Sequence, residues 1–294
     1  MNNRFKGLIC VISSAVLFGL CPILCKYSFE EGGTPLSVTF FRAFVAIPFL
    51  FVFIRYRRMT FRLSRRELCD LLLAGIAGMT ATALLLSGSY TYIGSGLATT
   101  LHFTYPALTS LCGVLLFRER LTAGAGSALF LVTAGVVCFS FNTASVAPLG
   151  VALALLSGMT YTFYILFLGH SSLRGMDTCR LLFYFSIIMG VIVGACGLMS
   201  GDFSLKMTST GYLFTVINSL CAMIAGLLFQ AGVRLAGGAT AAMASALEPA
   251  TSILCGVILF HEPMHLPELF GSVSVLVGIL LLISPKKGRE PETA

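Results

Sequence analysis

The chain has 294 residues, of which 57% are hydrophobic and 11% charged, with a formal net charge of +7. Soluble domains carry roughly a quarter charged residues, so this composition excludes an ordinary soluble domain and points to a membrane protein. The basic residues lie mostly in short breaks between apolar runs, where the positive-inside rule accounts for them, and no nucleic-acid partner is expected.

A spanning helix needs roughly 20 apolar residues. Ten such runs are predicted, over 7–29, 35–54, 67–88, 95–117, 121–141, 147–169, 178–199, 210–232, 238–260 and 265–284. The first follows Arg4 and Lys6 as a signal peptide would, but it is too long for one and reads as a span. The breaks carry turn residues or charge, as in residues 30–35, Arg118-Glu119-Arg120, and Asn142 to Pro148. With the N-terminus in the cytoplasm and the sides alternating, sixteen of the nineteen Lys and Arg fall inside, including Arg55, Arg57, Arg58, Arg62, Arg65 and Arg66. Lys206 alone falls in an outside loop, and Lys26 and Arg42 lie within spans. That skew predicts an N-in, C-in protein. The ten cysteines lie in or beside apolar runs and read as small hydrophobes.

The two halves match at an offset of 143 residues. Pro106 to Glu119 reads PALTSLCGVLLFRE and Pro249 to Glu262 reads PATSILCGVILFHE, identical at nine of fourteen positions. Gly7 meets Gly150, Ser14 meets Ser157 and Gly135 meets Gly278. Spans 1–5 therefore match spans 6–10. Five is odd, so the second copy enters the membrane from the opposite face, a plan typical of transporters. The predicted fold is all-α: ten transmembrane helices as two inverted five-helix repeats over 7–141 and 147–284, with a short cytoplasmic tail over 285–294.

Phe18-Gly19, Lys26, Pro35 and Arg42, Pro106 with Glu119, and Leu247-Glu248-Pro249 with Glu262 carry a family resemblance. The chain resembles the drug/metabolite transporter superfamily, and within it the ten-span EamA-type permeases. Phenylalanine stands at position 18 where the family often has tryptophan. The resemblance implies transport of small organic solutes, with export of amino acids or related metabolites a common bacterial theme.

A charge at the bilayer centre costs at least about 2.5–3.5 kcal/mol, so each one needs a reason. Glu248 lies eight residues beyond Thr240, or about 12 Å into the membrane. Ser245, Glu248 and Ser252 form a polar stripe at helical spacing, and His102, Tyr105 and Thr109 form its counterpart. Both stripes are expected near one shared axis, where inverted-repeat transporters hold cargo. The alternative for Glu248 and His102 is interhelix hydrogen bonding. Arg42 either binds an anionic group of the cargo or pairs with Glu30 or Glu31; Lys26 can snorkel to the surface. Ser13, Ser14, Phe18, Tyr161 and Tyr164 on spans 1 and 6, Tyr90 and Tyr92 on span 3, and Asn218 and Gln230 on span 8 suit a pocket for amphipathic metabolites, or serve packing. Prolines 22, 48, 106 and 249 are expected to interrupt helices. Glu119 and Glu262 sit at span ends, as helix-end partners.

No Walker A sequence, metal-ligand cluster or nucleophile elbow is present, and Pro263 spoils His261 and His265 as a metal pair. No catalytic residue, cofactor or metal is expected. The expected function is a secondary transporter or exporter acting by alternating access in a bacterial cytoplasmic membrane. Its expected partners are a small-molecule solute, the lipid bilayer and protons as coupling ion, with a monomer sufficing. The alternatives are a non-transporting membrane scaffold and an intramembrane enzyme.

Overall fold

In hydrocarbon every backbone polar group must find a partner within the protein, which favours helices. The computed structural model describes residues 3–117, 127, 130, 131, 134, 147–201, 203–236, 245, 247–261 and 266–283, and every regular element among them is helical. In chain order these are α1 (Asn3–Glu30), α2 (Pro35–Tyr56), α3 (Arg65–Leu73), a π-helical stretch (Ala74–Thr80), α4 (Ala81–Ser89), α5 (Ser95–His102) and α6 (Tyr105–Phe117). The second half contributes α7 (Pro148–His170), α8 (Thr178–Ser200), α9 (Ser209–Ala236), α10 (Leu247–Phe260) and α11 (Leu266–Ile283). Among the described residues six segments are long and apolar enough to cross a membrane: Phe5–Glu30, Pro35–Tyr56, Arg65–Ser89, Pro148–His170, Thr178–Ser200 and Ser209–Gly232. Most of the predicted span 121–141, the start of span 238–260, the break at Asn142, Arg118-Glu119-Arg120, Glu262, His265 and the tail 285–294 lie outside the described residues.

Local chemistry sets several helix starts. Thr34 Oγ1 accepts from Ser37 N at 3.2 Å while Ser37 Oγ accepts from Thr34 N at 2.8 Å, and Pro35 takes the first helical position of α2. Ser64 and Glu67 form the same reciprocal cap on α3, and Asp177 caps α8 by accepting from Cys179 N at 2.8 Å.

Three expectations need correction. The single span 95–117 is two helices, broken at Phe103–Thr104. Pro106 has no N–H for the His102 carbonyl four residues back, so the helical ladder is interrupted across this point. Pro22 and Pro48 do not interrupt anything: they lie inside unbroken α1 and α2, as packed membrane helices allow. The span 67–88 is not a plain α-helix, since Ala74–Thr80 winds as a π-helix between α3 and α4.

Packing follows the repeat. α1 runs along α9 and touches α10; α7 runs along the π-helical stretch and α4 and touches α6; α2 packs on α8. A shift of 143 residues turns the α1–α9 contact into the α7–α4 contact and maps the α2–α8 contact onto itself. Small and hydroxyl residues glue these seams. Ser14 Oγ donates to Ala225 O at 2.8 Å, Thr215 Oγ1 to Ser28 Oγ at 3.1 Å, and Asn218 Nδ2 to Cys25 Sγ at 3.1 Å along α1–α9; Thr82 and Thr160 share a 2.7 Å hydroxyl bond on α4–α7.

Loops are tied down at both ends of the bundle. Tyr184 OH donates to Phe61 O at 2.6 Å and Arg180 Nη2 to Arg62 O at 2.9 Å, while Asp70 accepts from Ser172 N at 3.0 Å and its Oγ at 2.6 Å. At the other end Ser204 Oγ donates to Gly32 O at 2.8 Å, Thr208 N donates to Glu31 O at 3.1 Å, and Thr208 Oγ1 donates to the Glu31 carboxylate.

Candidate functional site

The two halves meet around a cavity of about 450 Å³, within the size range of small-molecule sites. Eleven of the residues singled out as candidates line it: Ser14 and Phe18 from α1, Arg42 from α2, Tyr90 after α4, His102 from α5, Tyr105 from α6, Tyr161 and Tyr164 from α7, Gln230 from α9, Ser245, and Glu248 from α10. The helix break at 103–104 lets His102 and Tyr105 face the space from two separate helices.

Several expected partners are placed elsewhere. Ser252 is fully buried against Thr99, with 3.3 Å between hydroxyls, and Thr109 Oγ1 turns back to its own helix at Tyr105 O, 2.7 Å away. Neither lines the cavity, so each polar stripe supplies two lining residues and not three. Tyr92 is exposed at the rim of the fold, Asn218 is buried against Cys25 behind the lining, and Ser13 is outside the lining too. Lys26 stands over the Phe260 ring at 5.6 Å. Among the described residues Arg42 makes no ion pair with Glu30 or Glu31; the Glu31 carboxylate takes Thr208 instead. This leaves the half-buried guanidinium at the cavity, beside Cys21, Cys25 and Tyr90.

The lining is chemically lopsided. His102, Tyr105, Tyr161 and Tyr164 form a continuous aromatic face: ring centroids are 5.4 Å apart for His102–Tyr161, 4.8 Å for Tyr105–Tyr161 and 5.5 Å for Tyr161–Tyr164. Phe185 extends it at 5.6 Å from Tyr164. Shifted by 143 residues, these positions correspond to Ser245, Glu248, Phe18, Cys21 and Arg42. In two of these five pairs a ring in one repeat stands where the other repeat has a charge: Tyr105 matches Glu248, and Phe185 matches Arg42. Cys21 lies within electrostatic reach of both Arg42 and Glu248, and Glu248 reaches Tyr105 and Tyr161. Phe185, Met79, Met189, Met223 and Phe229 line the cavity without having been singled out by the sequence. The one available signal was the offset, which carries Arg42 onto Phe185.

Close backbone contacts fix two of the polar residues. A Cβ on Gly19 would stand 2.7 Å from Glu248 O and 2.6 Å from Thr251 Cβ, so only glycine lets α1 lie flush against α10 there. A Cβ on Gly158 would stand 3.0 Å from His102 O. At the position matching Gly19, Thr162 Oγ1 donates to Gly158 O of its own helix at 2.9 Å and lies 3.3 Å from Tyr105 O.

The comparisons with known proteins agree with this architecture. A protein of Pseudomonas aeruginosa (strain PAO1), uncharacterized protein PA1977, is 26% identical over 291 residues, covering 97% of this chain and 96% of that one. A solved crystal structure of a protein shares the fold with a TM-score of 0.65 at 15% identity, covering 95% of this chain and 98% of that chain. The profile of the EamA-like transporter family matches twice, over residues 5–141 and 148–284. With both matches spanning nearly the whole sequence, this multi-pass protein of the cell membrane belongs to the EamA-like transporter family.

Proposed function

We propose that the chain is a secondary transporter that exports amino acids or related small metabolites by alternating access. The observation that carries this is the central cavity, whose lining combines Arg42 and Glu248 with an aromatic face. Arg42 presents a planar fork suited to a cargo carboxylate. The rings of Tyr105, Tyr161 and Tyr164 suit the apolar part of an amphipathic solute. Glu248 carries the coupling proton, loading and releasing it as the site turns from one face to the other. The remaining lining residues Ser14, Phe18, Tyr90, His102, Gln230 and Ser245 supply contacts along the path.

In this reading the two family matches are inverted five-helix repeats over 7–141 and 147–284, ten spans in all, N-in and C-in, and the tail 285–294 is cytoplasmic. The spans of each repeat rock about the shared site. Two fused halves form the functional unit, so a monomer suffices, and neither cofactor nor metal takes part. The solute-sized cavity argues against a scaffold, and the transporter-family match argues against an intramembrane enzyme.

The test is counterflow in proteoliposomes with a panel of amino acids, nucleosides, sugars and organic amines. Exchange of amino acids or their derivatives is expected. Exchange confined to sugars or nucleosides overturns the cargo class, and exchange of nothing overturns transport.

A further inference from the structure

The contact between His102 and Ser157 bears on how the imidazole carries its proton. Ser157 has one hydroxyl hydrogen, and its shortest acceptor contact is Ala154 O at 2.6 Å. His102 Nδ1 lies 2.9 Å from the same hydroxyl oxygen. Ser157 cannot donate twice, so with its hydrogen on Ala154 O the contact is made by Nδ1–H of His102 donating to the hydroxyl oxygen. The neutral ring then carries its lone pair on Nε2, and that nitrogen takes part in no hydrogen bond among the described residues. His102 is nearly buried and lines the cavity, flanked by Tyr105 at 5.6 Å and Tyr161 at 5.4 Å between ring centroids. The result is a ring-nitrogen acceptor set between tyrosine rings, whose hydroxyls can also accept.

We propose that His102 is a specificity-determining residue: Nε2 accepts a hydrogen bond from an N–H or O–H on the edge of a cargo ring, so that the site favours indole- and phenol-bearing amino acids over plain aromatic ones. This rests on the amino-acid reading above and goes beyond it by naming the ring chemistry. A cargo ring lying against Tyr105 and Tyr161 that lacks a donor leaves the desolvated nitrogen unpaired, which is the costly outcome. Ser157 is the positioning residue, because it holds the proton on Nδ1 and keeps Nε2 as an acceptor. Its own hydroxyl stays bonded to Ala154 O when the histidine is replaced, so His102→Phe preserves both the ring face and the α7 backbone bond.

The test uses the full chain in nanodiscs with tryptophan, 1-methyltryptophan, tyrosine and phenylalanine. The protein has no tryptophan, so the indole fluorescence of the first two ligands reports their binding directly. Tryptophan is expected to bind about tenfold tighter than 1-methyltryptophan, the effect of one lost hydrogen bond to a buried group. Tyrosine should exceed phenylalanine similarly in competition. His102→Phe should erase both preferences while phenylalanine affinity holds, and Ser157→Ala should narrow them by freeing the proton to move to Nε2. Equal affinities of the methylated and unmethylated ligands for the wild type overturn the acceptor role, whatever the variants do. If none of the four binds while other amino acids still exchange, the ring chemistry is wrong and the transporter reading stands. If no amino acid exchanges at all, the ring chemistry and the amino-acid reading it rests on both fall.

Discussion

At the scale of single residues, charge in an apolar run is the feature that sequence exposes best. Arg42 and Glu248 stand out because an ionisable group in hydrocarbon is costly unless it faces an interior space, and both line the cavity. The apolar part of the lining is illegible for the same reason: Phe185, Met79 and Met189 look like any lipid-facing or core residue until the fold brings them together. The tautomer of His102 also required structure, since it depends on where the Ser157 proton goes. Two substitutions test the charged groups. Arg42→Lys should leave expression intact and weaken apparent cargo affinity about tenfold or more in concentration-dependent counterflow, because an ammonium cannot reproduce the bidentate grip. Unchanged affinity would remove Arg42 from cargo binding. Glu248→Gln keeps size and hydrogen bonding but cannot titrate. Cargo-for-cargo exchange should persist while the response to an imposed pH gradient disappears. Binding lost at every pH would reassign Glu248 to a cationic group on the cargo, and wild-type behaviour would reduce it to helix packing.

At the scale of elements, apolar length predicts where helices lie better than how they are broken. Residues 95–117 stay apolar throughout, so hydropathy alone draws one span through Phe103 and Thr104. Pro106 gives a warning, but Pro22 and Pro48 give the same warning and sit in continuous helices. What differs is whether neighbouring groups can absorb the freed carbonyl, and that is a property of the packed structure. The glycine contacts are likewise legible only from the fold. Gly19→Val should destabilise the α1–α10 seam by about 1–3 kcal/mol, the usual range for overpacking, and lower the melting temperature in detergent. Thr162→Ala at the corresponding position removes a hydroxyl that bonds Gly158 O of its own helix at 2.9 Å and lies 3.3 Å from Tyr105 O, and should cost about 1 kcal/mol or less. Equal losses for the two variants would contradict the close approach at Gly19.

At the scale of the whole molecule, the repeat was readable because nine of fourteen residues survive unchanged around Pro106 and Pro249. The orientation rests on the distribution of arginine and lysine. On a cysteine-free background, cysteines placed at positions 60 and 288 should label only from the cytoplasm, and those at 32, 144 and 206 only from outside. Labelling of position 60 in intact cells by an impermeant reagent would reverse the topology. The contact at Gly19 has a mechanical consequence for any such cycle. With α1 seated on the carbonyl of Glu248, no slack remains between them for sliding or rotation. The carboxylate is therefore not a passenger on a freely moving helix. It is geared to α1, and through the hydrogen-bonded seam of Ser14, Ser28 and Cys25 to α9 as well. In the proposed cycle the proton carrier and these helices turn as one lever, and the α2–α8 crossing, which the 143-residue shift maps onto itself, is the fulcrum between the repeats.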